Sequence, residues 1–492
     1  MKRKKQQEKS FYEIRELRYE NRELKRILRI IFSAKTFKAW QFYCYIRDHV
    51  KKLFSDKNNF TFSFVFLYKK IRKIIKEKSN PFIVNISPPK AIEKFNNVSI
   101  VIPTYNGGRY FPSLIKAIKM QSHIIDPEII FVDSESTDET LKIAKEFNIK
   151  VINIKQKEFN HGLARNIGAK NAKGEYIIFT VQDALPIDNF AYANMLTILS
   201  DHEDVVGVST KQTPYPDADL FAKWQMYNHN TTLELNDTNF ISSLPKKNKF
   251  YQLPFIEKRK ISIYDDVCSC VKKDDFFKLG GYKKINFAED IEFSIRALMN
   301  GYKIAFTGNS GVIHSHNRPA EYFFRRYYAD NKIVNNLFKE NSEPFFQSLE
   351  DILQNCYTTY FYIYKYFDDA KFRFSMPDFQ EFVDNIKKLK KKKIRETESQ
   401  MLEIIYKFSH DVNVKINKHQ NYHMINQTVY EQFKSIYNDA AKLIPMSQYD
   451  SSIIKQFCDK LFTTIIGSHL TMFASKNKET EKKLDIILMK GV

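Results

Sequence analysis

The residue types best suited to chemistry stand at the ends of apolar runs. Asp183 closes EYIIFTVQD (175–183), and its neighbours Gln182 and Ala184 bring no second negative charge. A divalent cation carried on a diphosphate needs only one or two protein carboxylates, because the phosphates supply the other oxygens. His314 and His316 stand in GVIHSH (311–316). Residues at i and i+2 of a strand face the same way, so either or both could complete that cation's shell. Imidazole is acceptable to Mn²⁺ and poor for Mg²⁺. Asp133 ends EIIFVD (128–133), where a carboxylate can accept an imide N–H of a pyrimidine or a ribose hydroxyl. Asp138, five residues on, sits in a first helical turn, where a carboxylate complements the helix dipole and reads as structural. Pro103, Thr104 and Tyr105 follow the run VSIVI, with Pro103 expected to end a strand and Gly107-Gly108 to let the backbone pass near a ligand. Arg165, in HGLARNIGA, can clamp a phosphate or pin the acidic residues of a site. Glu289-Asp290 precedes a helical pattern, where Asp290 fits both a helix cap and a base that takes a proton from an attacking hydroxyl.

Alternating β and α units position these residues. Strands are predicted at 98–102, 128–133, 150–154 and 175–181, and helices at 110–121, 137–147 and 162–172, the second of these capped by Ser136 or Thr137. Right-handed crossovers between such strands make an open α/β sheet, and ligands bind beyond its carboxyl edge. Further strands are expected at DVVGVST (204–210), KIAFT (303–307) and GVIHSH, and a helix at 290–300 closed by Gly301. Residues 10–34 lack Gly and Pro and repeat apolar residues at helical spacing, giving an amphipathic basic helix. Residues 79–89, with Pro81, Pro88 and Pro89, read as a linker, and the pattern beyond Arg318 is mostly helical.

The 492 residues exceed one ordinary core and carry a formal charge of +21. The charge is uneven: residues 1–80 hold 23 Lys and Arg against 8 Asp and Glu. Such a terminus attracts anionic lipid, nucleic acid or an acidic partner. No motif of nucleic-acid recognition accompanies it, and no nucleic-acid partner is expected. The apolar run FTFSFVFLY (60–68) is far short of the ~20 residues that span a bilayer, and no secretory signal is seen, so a soluble or peripheral protein is expected. Five scattered cysteines, without zinc-ligand spacing, fit reduced thiols and a cytoplasmic location.

Taken together, SIVIPTYNGG, FVDSESTDET, HGLARNIGAKNAKGEYIIFTVQDA and FAEDIEFSIRALMNGYKIAF resemble the family-2 inverting glycosyltransferases of GT-A fold. The form FNHG-x-x-RN-x-GA followed by QDA is similar to bacterial rhamnosyltransferases of that family. The resemblance implies a GT-A domain, a Rossmann-like and mostly parallel open α/β sheet, over 97–330. Around it lie a basic amphipathic helical region (1–80), a linker (81–96) and a helical C-terminal region (331–492). It implies that Pro103, Thr104, Tyr105 and Asp133 hold base and ribose and that Arg165 orders the nucleotide site. Asp183, with His314 or His316, would bind Mn²⁺ or Mg²⁺ on the diphosphate, and Asp290, next to Glu289, would be the general base. The donor would be a nucleotide-diphosphate sugar, of rhamnose or another hexose, and the acceptor a glycan or lipid-linked hydroxyl in surface-polysaccharide synthesis. The work would be done at the cytoplasmic face of the membrane, with residues 1–80 on anionic lipid. The chain departs from the family's D-x-D form: Val181-Gln182-Asp183 keeps only the last acid, which weakens the metal expectation and leaves Gln182 to hydrogen-bond a ribose. A sugar-nucleotide pyrophosphorylase is disfavoured by the lack of a G-x-G-x-R loop. A degenerate GT-A scaffold acting through its basic terminus is disfavoured by the presence of both Asp183 and Asp290.

Overall fold

A computed structural model of the chain describes residues 82–89, 92–235, 238–244, 247–340, 451–475 and 478–489. The expected helix at 10–34, the whole 1–80 region and most of the C-terminal region lie outside the described residues. In chain order the elements that build the site are β1 (Ile83–Ile86), β2 (Val98–Thr104), α1 (Phe111–Lys119), β3 (Glu128–Asp133), α2 (Thr140–Glu146), β4 (Lys150–Asn153), α3 (His161–Asn171), β5 (Tyr176–Thr180), β6 (Leu185–Pro186) and α4 (Ala191–Asp201). They continue as β7 (Val205–Thr213), α5 (Leu220–Thr232), β8 (Asn239–Ser242), α6 (Phe255–Ile261), β9 (Cys268–Lys272), α7 (Lys273–Lys278), α8 (Glu289–Met299), β10 (Lys303–Ile313) and α9 (Ala320–Phe338), then α10 (Ser451–Ala474) and α11 (Lys478–Leu488).

The strands form one sheet in the order β1-β8-β10-β7-β9-β5-β2-β3-β4, with β6 beside β10. β4, β3, β2 and β5 are parallel, as are β7 and β10, and β9 runs antiparallel between the two groups. This is the mostly parallel open sheet of the GT-A architecture. The carboxyl ends of β2, β3, β5, β7 and β10 therefore share one edge. Because β9 is reversed, its amino end reaches that edge too.

The period of two along each strand divides the core between two faces. Ile100, Ile102, Phe131 and Ile178 meet Leu114, Ile115 and Ile118 of α1 and Met195 and Leu196 of α4. Val101, Ile130, Val132, Ile177 and Phe179 meet Ala164 and Ala169 of α3 and Phe293 and Leu298 of α8. Helices cover both faces, which is why the parallel strands read as continuous apolar runs.

Several boundaries depart from the sequence pattern. Pro103 does not end its strand: pairing with β5 stops at Val101, while pairing with β3 continues to Thr104 opposite Asp133. KIAFT and GVIHSH are not two strands but one, β10, whose register against β7 shifts between Thr307 and Gly311. The Thr210 hydroxyl donates to both Thr307 O (3.2 Å) and Ser310 O (3.0 Å), which ties the ends of that bulge together. The predicted cap of α2 moves to Glu139, whose side chain makes no cap bond. Within the expected 81–96 linker, β1 adds an edge strand, with Ile83 opposite Ser242 and Ile86 opposite Asn239. α9 runs across the expected boundary at 330, and α10 packs along it: the Thr471 hydroxyl donates to Tyr328 O (3.0 Å). Among the described residues, no helix is long and apolar enough to cross a membrane.

Candidate active site

The turn after β2 is stitched to its neighbours through its own backbone. Asn106 N–H donates to Ser136 Oγ (2.8 Å), Gly107 N–H to Thr140 Oγ1 (2.9 Å) and Gly108 N–H to Asp138 Oδ2 (2.9 Å). Asp138 is thus structural, as read, but it fixes a turn from just before the Glu139 cap rather than sitting in the first turn of α2. Gln182 uses both ends of its amide on Tyr105, accepting from N–H (3.0 Å) and donating to the carbonyl (3.2 Å). Its amide thus links the ends of β2 and β5, and keeps one N–H and one lone pair for the ribose expected of it. Asp133 is buried, and its carboxylate accepts from the Thr104 hydroxyl (3.0 Å), the Ser136 hydroxyl (2.6 Å) and the Ser136 N–H (2.9 Å). Thr104 and Asp133 therefore bond to each other at the floor of the edge. The residue after Thr104 in the chain, Tyr105, is 43% exposed and so within reach of a ligand.

At the centre of the edge, Asp183, His314 and His316 converge, with one ligand atom of each within 4.8 Å of the others. His314 Nε2 is 3.7 Å from Asp183 Oδ1, and His316 Nδ1 is 3.5 Å from Asp183 Oδ2. Both histidines lie just past the end of β10 rather than on it, yet His314 N–H still bonds Thr213 O (2.8 Å) and keeps the extended course. Burial holds His314 down to about 4, against the opposing pull of Asp183, and lowers His316 in the same way. Neutral imidazoles keep a lone pair for a cation. One carboxylate and two imidazoles fit Mn²⁺ better than Mg²⁺.

A second group, Asp265, Asp266 and Asp290, brings carboxylate oxygens within 4.8 Å of one another. Arg165, 1% exposed, anchors it with ion pairs to Asp266 Oδ1 (3.0 Å) and Glu289 Oε1 (3.3 Å). Of the two roles open to Arg165, the structure gives the pinning of acids. The expected place in the nucleotide site is corrected, because the guanidinium is enclosed beneath the carboxylates. Asp290 is not a helix cap either. Ala288 occupies that position in a left-handed conformation (φ 61°), which swings Glu289 and Asp290 into the first turn of α8. Burial, then the neighbouring Glu289 and Asp265, push the Asp290 carboxyl up to about 8. Burial also raises Asp266 well above the carboxylate range, against the pull of Arg165.

The HGLARN motif earns its place by bracing this group. Asn160 caps α3 by accepting from Leu163 N–H (3.1 Å) and donates to Ile285 O (2.6 Å). Asn166 donates to Tyr282 O (2.7 Å) and accepts from Tyr282 N–H (2.9 Å). Together with Arg165 they hold the segment that delivers Asp290. Asp265, Asp266 and Gln212 were missed in sequence. The signal for the first two was the Asp-Asp pair before the apolar run VCSCV, significant only once that strand is known to run antiparallel.

The chain is similar in sequence to known proteins. The family model described as glycosyl transferase family 2 matches residues 99–277. The O-antigen chain rhamnosyltransferase RfbN of Salmonella typhimurium is 32% identical over 235 residues, 47% of this chain and 70% of that one. The O-antigen chain rhamnosyltransferase WbaN of Salmonella anatum is 30% identical over 238 residues, with the same shares of the two chains. Among solved structures, the mannosyltransferase PcManGT of Pyrobaculum calidifontis, in complex with GDP-Man and Mn²⁺, covers 56% of this chain and 72% of its own at 18% identity and a TM-score of 0.40.

Proposed function

The chain belongs to glycosyltransferase family 2, and from that premise we propose that it moves rhamnose or another hexose from a nucleotide-diphosphate sugar to a hydroxyl of a glycan or lipid-linked acceptor, with inversion, in surface-polysaccharide synthesis. The observation that carries the reading is the meeting, at one sheet edge, of a cation-holding group (Asp183, His314, His316) and a proton-accepting group around Asp290. Tyr105 would stack on the base, with Thr104 and Asp133 forming the floor beneath base and ribose. Asp183, His314 and His316 would hold Mn²⁺ against the diphosphate; when bound, the ion offsets the charge that grows on the leaving group. Asp290 would take the proton from the acceptor hydroxyl as its oxygen attacks the anomeric carbon. Glu289 and Arg165 would keep that carboxylate in position. The likeness to RfbN and WbaN supports rhamnose as the first sugar to try.

The test is a transfer assay on Asp183→Ala and Asp290→Asn, preceded by a thermal-shift screen of UDP-, dTDP- and GDP-sugars with Mn²⁺ or Mg²⁺. A ligand that binds the native state raises its midpoint. Both variants should fold and lose transfer; near-normal turnover in either would overturn its role. A peripheral place at the cytoplasmic face, reached through residues 1–80, completes the proposal.

A further inference from the structure

One side chain, Gln212, near the end of β7, joins the two groups. Its Oε1 lies 2.8 Å from His314 Nδ1, and its Nε2 donates to Asp265 Oδ2. The sheet sets this up: Gln212 stands opposite Val312 in the β7–β10 register, and His314 N–H bonds Thr213 O (2.8 Å). We infer that Gln212 is a positioning residue that, oriented by Asp265, fixes the ring tautomer of His314 and so makes Nε2 of that ring the cation ligand.

A side-chain amide has one acceptor end and one donor end. Asp265 accepts the Val267 N–H at Oδ1 (2.9 Å), and its Oδ2 takes the amide NH₂ of Gln212. The carbonyl end of Gln212 must then face His314. A carbonyl oxygen only accepts, so Nδ1 of His314 carries the hydrogen. A neutral imidazole has one ring hydrogen, which leaves Nε2 bare, 3.7 Å from Asp183 Oδ1. A carboxylate that is not among the cation-holding residues thereby decides which nitrogen of His314 is available to the ion. Hydrogen bonds of this kind, behind the ligands themselves, typically shift metal affinity ~10–100-fold.

The cation half of the inference rests on the proposed metal site; the tautomer half does not, and the experiment separates them. Full-length, perdeuterated protein with ¹⁵N-labelled histidine is examined without divalent cation, the His314 ring being assigned by its loss in His314→Gln. Mn²⁺ affinity is measured in parallel by electron paramagnetic resonance, without donor sugar. The wild type should show the Nδ1–H tautomer. Gln212→Leu should lose that pattern and bind Mn²⁺ ~10–100-fold more weakly. Asp265→Asn should shift both readouts the same way, because its own amide lets Gln212 turn over, and it serves if the leucine variant fails to fold. An Nε2–H ring in the wild type, or unchanged tautomer and affinity in the variants, would overturn the inference. An Nδ1–H wild type that loses this tautomer in Gln212→Leu and binds no Mn²⁺ would support the tautomer half and overturn the metal site.

Discussion

At the scale of single residues, Asp290 faces opposing demands. A general base works only when ionised, yet enclosure and the neighbouring carboxylates push this group up to about 8. Transfer measured as kcat/KM should therefore climb with pH through about 8, and a profile flat from about pH 6 to about pH 9 would remove Asp290 from the role. Asp290→Asn should lose ~10²–10⁴-fold in rate at any pH. Stability should move the other way. The folded carboxyl binds its proton more tightly than the unfolded one, whose ordinary value is 3.8. Its contribution is full below about 4 and is lost as the pH rises through about 8. Arg165→Met should cost about 3–5 kcal/mol in chemical denaturation, since it strands Asp266 and Glu289 beneath the surface. Asp183 and Asp133 were legible because each closes an apolar run whose carboxyl end meets the site, and Asp290 because an acidic pair opens a helical pattern. Gln212 was not, because a glutamine within a strand carries no mark of what lies across the sheet edge.

At the scale of elements, α3 is the brace on which the site depends, and Gly168 is what lets it sit down. A Cβ at that position would lie 2.3 Å from Val101 Cγ1 and 3.0 Å from Val132 Cγ2. Gly168→Val must then lift α3 from β2 and β3, at a cost of at least ~1–3 kcal/mol for overpacking. Arg165 and Asn166 ride on the same helix, so the shift would reach Asp290. The variant should show a lower thermal midpoint together with weaker transfer, and an unchanged midpoint would contradict the close seat of α3 on β2 and β3. The alternation of strand and helix was readable because strands buried on both faces leave apolar runs, and helices leave a period near 3.6. What the pattern could not carry was long-range. Gly308-Asn309-Ser310 reads as a turn, yet Asn239 Oδ1 accepts from Gly308 N–H (3.0 Å) and the Thr210 hydroxyl bridges the bulge, so the strand continues. β1 lies in a stretch whose prolines suggest a linker, and only its pairing with β8 makes it a strand.

At the scale of the whole molecule, the family match at 99–277 leaves stretches of sequence after it and before it. After it, α10 lies close against α9, where a Cβ on Gly467 would meet Phe324 O at 2.5 Å, and Phe457 packs edge-on against Trp224 of α5 (5.9 Å). The helical C-terminal pattern was visible in sequence; its seat was not, because the aromatic residues that receive it are more than a hundred positions away. Ahead of the match in sequence stands the charge of residues 1–80, an excess of 15 from 23 basic and 8 acidic residues. Each Lys or Arg near an anionic bilayer gains about 1 kcal/mol, so a third of that excess gives only the marginal, reversible binding of a single acyl chain, and firm attachment needs most of it at the surface. The same attraction is screened within ~10 Å at 0.1 M salt. A protein held this way should float with vesicles containing anionic lipid, fail to float with neutral ones, and come off as salt is raised. Removal of residues 1–80 should abolish flotation while transfer to a soluble acceptor analogue persists. If the shortened chain floats as well as the full one, attachment belongs to the remaining residues, and the basic terminus must be sought another partner. If binding survives high salt, apolar insertion rather than charge holds the protein, and the amphipathic pattern at 10–34, with Ile14, Leu17, Leu24 and Ile31 on one side, becomes the segment to mutate.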